Sequence, residues 1–272
     1  MVQQLYTTLR NGVQMPLLGL GVYDLYGKDA ERAVSDALEI GYRLIDTASL
    51  YRNEKEVGRA LQQSGLNRSE VFITTKVGNG DQGYQQTLKA FETSLKLLNV
   101  EYVDAYLVHW PIKSTRKETW KALEYLYTTQ KVRVIGVANY LVPFLEELTT
   151  YSTSVPMLDQ VEFSPYCFLS DLYDYCRARQ IQLQSYTPLL RGVKFSDPRL
   201  LRIAEQYGKT PAQIILRWNL ELGVSTIPKS GNRKRLEENF SIFDFSLSGE
   251  HVRELMQFHE NFRIVDDPMT YW

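Results

Sequence analysis

Residues 43–58 read RLIDTASLYRNEKEVG, and the order of residue types in them decides the architecture. An apolar run from Arg43 to Ile45 ends in an acid, Asp46. Tyr51 follows five residues later, and NEKEVGRALQQ (53–63) then takes up a helical period. The stretch is a strand, a loop and a helix, with two polar side chains placed where the strand stops.

The same alternation extends in both directions. Short apolar runs occur at 17–21 (LLGLG), 42–46 (YRLID), 71–76 (VFITTK), 103–109 (VDAYLVH), 132–137 (VRVIGV), 157–163 (MLDQVEF), 181–186 (IQLQSY) and 224–228 (VSTIP). Between and after them lie helix-period runs such as YQQTLKAFETSLKLL, RKETWKALEYLYTTQ, LSDLYDYCRARQ, PAQIILRWNLELG and RKRLEENF. Strands that are apolar throughout imply burial on both faces, hence a parallel sheet. Eight such strands, each with its helix, predict an α/β fold of the closed (β/α)8 or TIM-barrel type, as one domain over 1–272.

Additions to that frame are also legible. LYTTLRNGVQM (5–15) carries Asn11-Gly12 between alternating runs, which predicts an N-terminal β-hairpin with a two-residue turn. Pro188, Gly192 and Pro198 predict a long loop over 187–208. IFDFSLSGEHVREL predicts an extra C-terminal helix capped by Ser248, and NFRIVDDPMTYW a tail lying across the barrel surface.

Composition excludes several function classes. The net charge of −1 provides no positive field for nucleic acid or an anionic membrane. No apolar run approaches the length of a membrane span, and MVQQLYTTLRNG lacks the pattern of a signal peptide. Two cysteines, Cys167 and Cys176, are too few for a disulfide framework. No His, Cys or carboxylate cluster has metal-ligand spacing, so no metal is expected. The expectation is a cytoplasmic, monomeric protein acting on a small molecule.

GNGDQG (78–83) matches the dinucleotide fingerprint G-x-G-x-x-G, after a strand and before a helix. It would favour an open Rossmann sheet. The next strand, however, has its acid, Asp104, at its start and His109 at its end, and two β/α units precede the motif. The reading preferred here is a glycine-rich βα loop.

Polar residues recur where apolar strands finish: Asp46, Lys76 and His109, with Tyr51 in the loop after Asp46. In a parallel barrel all carboxyl ends open onto one face, so residues distant in sequence converge there. Taken singly, each has a plainer use: Asp46 as a cap, Lys76 as a solvated strand end, His109 as a packed loop residue, Tyr51 as a cover for the barrel top. Together they suit protonation of a carbonyl oxygen. A nearby ammonium favours phenolate and makes the phenol a better acid, a carboxylate holds the ammonium, and an imidazole orients the oxygen.

The chain resembles the aldo-keto reductases from about residue 5 to residue 262. The motifs that carry the resemblance are GLGVY, YRLIDTASLYRNEKEVG, ITTKV, LNVEYVDAYLVHWP, KVRVIGVANY, DQVEFSP, SYTPL and IPKSGNRKRLEEN. It looks most like the small bacterial and protozoan members that act on diketogulonate, glyoxals or prostaglandin precursors. The resemblance implies NADPH-dependent reduction of aldehydes or ketones, with Asp46, Tyr51, Lys76 and His109 as a catalytic tetrad and Tyr51 as the acid. It implies that Asn139 and Gln160 hold the nicotinamide carboxamide, beside Asp46, and that Tyr186 stacks on its ring. Leu189 would lie at the pyrophosphate. Lys229, Ser230 and Arg235 would clamp the 2′-phosphate, and Glu238 and Asn239 would meet the adenine. Gly21, Val22 and Tyr23 would border the cofactor. Tyr23, Tyr51, His109 and Trp110 would face the substrate, with Trp272 a further candidate. A second reading makes the chain a cofactor-binding partner subunit that reports redox state with little turnover.

Four positions depart from the family pattern. Gly78 replaces a common Trp after the strand-end lysine, which implies a wider pocket or a wall supplied from elsewhere. Ala138, Val22 and Asp159 replace residues that commonly carry a hydroxyl or an amide, which implies weaker cofactor binding. Arg52, where many members of the family it resembles carry glycine or a different polar residue, has no reading from sequence.

Overall fold

In the computed structural model, which describes residues 4–272, the chain begins with an antiparallel hairpin of β1 (Tyr6–Thr8) and β2 (Gln14–Pro16). Residues 1–3 of the expected 1–272 domain lie outside the described residues. Eight parallel strands follow in chain order around one sheet. They are β3 (Leu20–Gly21), β4 (Leu44–Asp46), β5 (Phe72–Val77), β6 (Val103–Val108), β7 (Val132–Ala138), β8 (Leu158–Glu162), β9 (Gln182–Tyr186) and β10 (Ser225–Thr226). The helices are α1 (Gly27–Ile40), α2 (Glu54–Gln63), α3 (Tyr84–Leu98), α4 (Arg116–Thr128), α5 (Val142–Thr149), α6 (Ser170–Ala178), α7 (Pro198–Tyr207), α8 (Pro211–Glu221), α9 (Arg233–Phe240) and α10 (Gly249–Met256).

The sheet curls until its ends meet. Leu18 bridges Thr226 and Gly21 bridges Lys229, both in parallel sense. The Gly21 amide donates to the Pro228 carbonyl at 3.2 Å. A Cβ on Gly21 would stand 2.8 Å from the Ile227 carbonyl oxygen, so only glycine permits this seam. A closed sheet excludes the open Rossmann alternative. Every residue of β5 and β6 is buried, which is why those strands read as unbroken apolar runs.

The structure corrects two expectations. The hairpin turn spans Arg10, Asn11 and Gly12, because Leu9 N–H donates to the Val13 carbonyl at 2.9 Å. Gly12 supplies the positive φ, 84°, that follows the tight bend, so an Asn-Gly pair serves a three-residue loop here. Residues 187–208 are also not loop throughout, since they contain α7. Pro198 occupies its first turn, where a missing N–H costs nothing, and Asp197 caps it by accepting from Arg199 N–H at 2.9 Å. The C-terminal helix α10 is capped as expected, Ser248 Oγ accepting from His251 N–H at 3.2 Å.

Candidate active site

Strand register brings the polar residues together at the carboxyl ends. Asp46 lies opposite Thr74, and Lys76 opposite Leu107, so both finish the barrel wall beside one another. Lys76 is fully buried, and its Nζ donates to Asp46 Oδ2 at 2.6 Å and to the Thr47 carbonyl at 2.9 Å. The Tyr51 hydroxyl stands 3.5 Å from the same nitrogen, and the Tyr51 ring makes edge contact with His109, centroids 5.6 Å apart. Asp46 is therefore an anchor for Lys76 and not a helix cap. Burial pulls the Lys76 ammonium down and the Asp46 carboxyl up. Their 2.6 Å contact opposes both shifts, and Gln160 Nε2 adds a hydrogen bond to Asp46 Oδ1 at 2.7 Å, which together hold the pair ionised.

Burial, and after it the Asp46 carboxylate, push the Tyr51 hydroxyl well above the usual phenol range. This reverses the expected sign for the resting site, where Lys76 was to lower it. Asp46 cancels most of the ammonium's field on the phenol, and desolvation is left to dominate. Tyr51 thus keeps its proton at rest, as an acid must, and Lys76 stands ready to stabilise the phenolate once that proton leaves. Burial, with Lys76 second, drives the His109 imidazole well below its usual value, so it is neutral. Its Nδ1 is buried without a partner.

The loop bearing Tyr51 is held by a residue that sequence reading missed. Asn53 is buried just ahead of α2; its Nδ2 donates to the Val22 and Leu25 carbonyls at 2.8 and 2.9 Å, and its Oδ1 accepts from Thr47 at 2.7 Å. An Asn before a helix was the available signal. GNGDQG has a structural task as well. Gln82 donates to the Trp110 carbonyl at 2.7 Å, and Gly83 N–H donates to Thr119 Oγ1 at 2.8 Å. The loop steadies the segment after His109. At Gly78, a Cβ would come within 3.1 Å of Leu50 Cδ2, so Leu50 occupies the space beside the missing indole.

The residues that resemble cofactor contacts gather around the same rim. Asn139, with φ 64°, accepts at Oδ1 from the Tyr186 hydroxyl at 2.6 Å and donates from Nδ2 to the His109 carbonyl at 2.9 Å. Gln160 Nε2 spends its second hydrogen on Gln184 Oε1 at 2.8 Å. Each amide therefore keeps limited free capacity: one N–H on Asn139, and the oxygen of Gln160. Gly21 and Val22 are buried, Leu189 and Tyr186 are partly buried, and Tyr23 is 54% exposed, edge-on to Tyr51 at 5.2 Å.

Near α9, charge pairing separates neighbouring cations. Arg233 is held by Asp36, Glu39 and Glu237. Lys229 and Arg235 are exposed and have no carboxylate partner among the described residues. Ser230 Oγ accepts from Asn232 N–H at 3.1 Å, and Glu238 accepts from Thr210 Oγ1 at 2.7 Å. Lys229 and Ser230 ahead of α9 and Arg235 in its first turn, the two cations being without carboxylate partners among the described residues, fit a phosphate.

The C-terminal tail returns across this face. Glu162 accepts from the Ile264 and Val265 amides, the Tyr271 ring packs against Trp110 with centroids 5.0 Å apart and planes tilted by 32°, and Trp272 meets Phe144 at 5.2 Å. His251 and His259 lie away from the site, paired with the Tyr207 hydroxyl and the Phe168 amide.

Residues 18–260 match the model of the Aldo/keto reductase family. The chain belongs to that family. It is an oxidoreductase acting on carbonyl groups. It is 47% identical over 261 residues to the glyoxal reductase of Bacillus subtilis (strain 168), covering 96% of this chain and 95% of that protein. A point mutant of Gox0644, solved in complex with NADPH, superimposes with a TM-score of 0.94 at 37% identity, covering 98% of each chain. An aldo-keto reductase of Bombyx mori in complex with NADP gives 0.92 at 32% identity, covering 98% of this chain and 96% of that one. This kinship supports a reductase over a cofactor-binding subunit with little turnover.

Proposed function

We propose that Asp46, Tyr51, Lys76 and His109 carry the NADPH-dependent reduction of aldehydes or ketones to alcohols, with Tyr51 as general acid. The observation that carries this reading is Lys76 Nζ, fully buried between Asp46 Oδ2 at 2.6 Å and the Tyr51 hydroxyl at 3.5 Å. NADPH, when bound, supplies the hydride. Tyr51 donates its proton to the carbonyl oxygen as charge develops there, and the Lys76 ammonium stabilises the phenolate that remains. Asp46 keeps that ammonium charged and in place. Neutral His109 offers a hydrogen bond that orients the carbonyl without competing as an acid.

Lys229, Ser230 and Arg235 would hold the 2′-phosphate, and Glu238 and Asn239 the adenine. Asn139 and Gln160 would take the carboxamide with their free capacity, and Tyr186 would face the ring. Gly21, Val22, Tyr23 and Leu189 would border the cofactor, while Tyr23 and Trp110 would contact substrate. The B. subtilis relative's name favours glyoxals among the substrates.

The chain from 1 to 272 would act as one domain, as a monomer in the cytoplasm, with neither nucleic acid nor membrane as partner. Support comes from the continuous barrel, from two buried free cysteines, and from the lack of a helix long and apolar enough to cross a membrane among the described residues. Sedimentation at micromolar concentration tests the oligomeric state. The decisive experiment is Tyr51→Phe, assayed with NADPH and methylglyoxal. Turnover falls by about 10²–10⁴-fold while NADPH still quenches protein fluorescence with unchanged affinity. A fully active variant would remove Tyr51 from the acid's role.

A further inference from the structure

We propose that Arg116 is a positioning residue that sets the aromatic wall of the substrate pocket by tying the C-terminal tail to the loop after His109. The proposal rests on the reading of Trp110 as a substrate contact.

Arg116 is an improbable residue for its place. It is the first residue of α4, where the helix dipole disfavours a cation, and it is buried. A buried guanidinium must find acceptors, because an ion out of water without partners is strongly destabilising. The acceptors come from three separate segments. Its Nη1 donates to the Pro111 carbonyl at 3.1 Å and lies 3.5 Å from the Tyr271 carbonyl. Its Nη2 pairs with the Glu147 carboxylate on α5. The cation also faces the Phe144 ring at 5.2 Å and the Trp272 ring at 5.5 Å.

The consequence lies beyond Arg116 itself. Pro111 follows Trp110, and Tyr271 is the ring packed against Trp110 at 5.0 Å. One side chain therefore touches the backbone on both sides of that ring contact. Upstream, Glu162 holds the tail at the Ile264 and Val265 amides, but its last residues are open to solvent: Trp272 is 51% exposed and Met269 38%. With Arg116 removed, Tyr271 and Trp272 lose their anchor, and the Trp110 indole loses the surface against which it is set. Binding of a substrate that reaches this wall then weakens. A substrate too small to reach it is unaffected, and the tetrad stays as it was.

The test uses the full-length chain with NADPH and two aldehydes, a nitrobenzaldehyde and methylglyoxal. In Arg116→Gln, KM for the nitrobenzaldehyde rises on the order of tenfold, while its kcat, both constants for methylglyoxal and the NADPH affinity stay within about twofold. Arg116→Lys, which keeps the charge, recovers part of the loss. Deletion of residues 271–272 produces the same split, and adding Arg116→Gln to the deletion raises KM for the nitrobenzaldehyde by less than Arg116→Gln does alone. Equal loss on both aldehydes, no loss on either, or additive effects would overturn the proposal. If Arg116→Gln does not fold, the deletion decides alone, because a deletion without the split also overturns it. Wild-type protein that reduces neither aldehyde would defeat the substrate reading instead. The tie itself is then read by hydrogen exchange of amides 269–272, which must accelerate in Arg116→Lys or Arg116→Gln.

Discussion

The two ends of the barrel are built from similar residue types and put them to opposite uses. At the N-terminal end, the buried acid is fully paired. Asp104 is buried at the start of β6, accepting from Arg68 at 2.7 Å, Arg133 at 2.7 Å and the Ile73 amide at 2.9 Å. The hairpin closes over that end, with Asn11 donating to the Arg133 carbonyl at 2.9 Å. At the C-terminal end, capacity is left over among the described residues: a His109 Nδ1 without a partner, Lys229 and Arg235 without carboxylates, and a lysine shared between a carboxylate and a phenol. Saturated polarity serves stability, and unsaturated polarity serves chemistry. Shape points the other way, since a groove of about 1210 Å³ lies at the N-terminal end, between Glu92, Lys96, Tyr102, Lys131 and Arg133. Of its charged residues Arg133 is paired with Asp104, which lies outside the groove, and no tetrad residue lines it.

The sharpest test of this contrast pairs one variant from each end. Tyr51→Phe loses about 10²–10⁴-fold in kcat with an unchanged melting temperature. Asp104→Asn does the reverse, losing about 2–4 kcal/mol of stability in urea while kcat and KM hold, because both arginines and an amide lose a charged acceptor. A kinetic defect in Asp104→Asn would break the division of labour between the ends.

Much of this contrast is legible in the sequence, for a physical reason. A parallel barrel buries its strands on both faces, so an acid, a lysine or a histidine at a strand's end stands out against the apolar run before it. Asp46, Lys76 and His109 are found in that way. The ties between distant segments are not legible. Gln160 meets Asp46 across 114 positions, and Arg116 meets Tyr271 across 155. Within its own helical run Arg116 reads as a solvated charge. Local signals also mislead when one residue type fits two conformations, as Pro198 fits both a loop and a helix's first turn.

The unpaired cations near α9 offer the next test. Arg235→Ala raises the dissociation constant for NADPH by about 10–100-fold and leaves NADH nearly unchanged, since only the former carries the 2′-phosphate. Arg233→Ala, two residues away and already neutralised by three carboxylates, changes neither. Equal affinity of wild-type protein for the two cofactors would refute the phosphate clamp.

Asp159 breaks the contrast in an instructive way. It is buried in β8, yet both its oxygens lack hydrogen-bond partners among the described residues, where the family resemblance implies Asn. Burial raises its carboxyl well above the ordinary value. A raised folded-state value means that the unfolded chain gives up its proton first. The contribution to stability is complete below the unfolded value, near 3.9, and is lost as pH climbs through the folded one. Asp159→Asn therefore gains about 1–3 kcal/mol at pH 8 and little at pH 4, measured by urea titration at both. A gain that is independent of pH would mean that Asp159 is ionised throughout.

Arg52 carries the smallest effect, and it explains a residue that sequence alone left without a reading. It ends the short turn Ser49–Tyr51 with φ 56° and ψ 30°, the left-handed region, and its N–H donates to the Ser49 carbonyl at 3.3 Å. A side chain in that conformation costs roughly 1–2 kcal/mol, which glycine avoids at the expense of about 0.5–1 kcal/mol in unfolded-chain entropy. The turn must bend there because Tyr51 has to reach Lys76 while Asn53 stays pinned to the Val22 and Leu25 carbonyls. Arg52→Gly should therefore stabilise the chain by up to about 1 kcal/mol with unchanged kcat, since the guanidinium is exposed and joins no described ion pair. A fall in kcat would show that the arginine contributes to the mouth directly, and would move it from the saturated class to the working one.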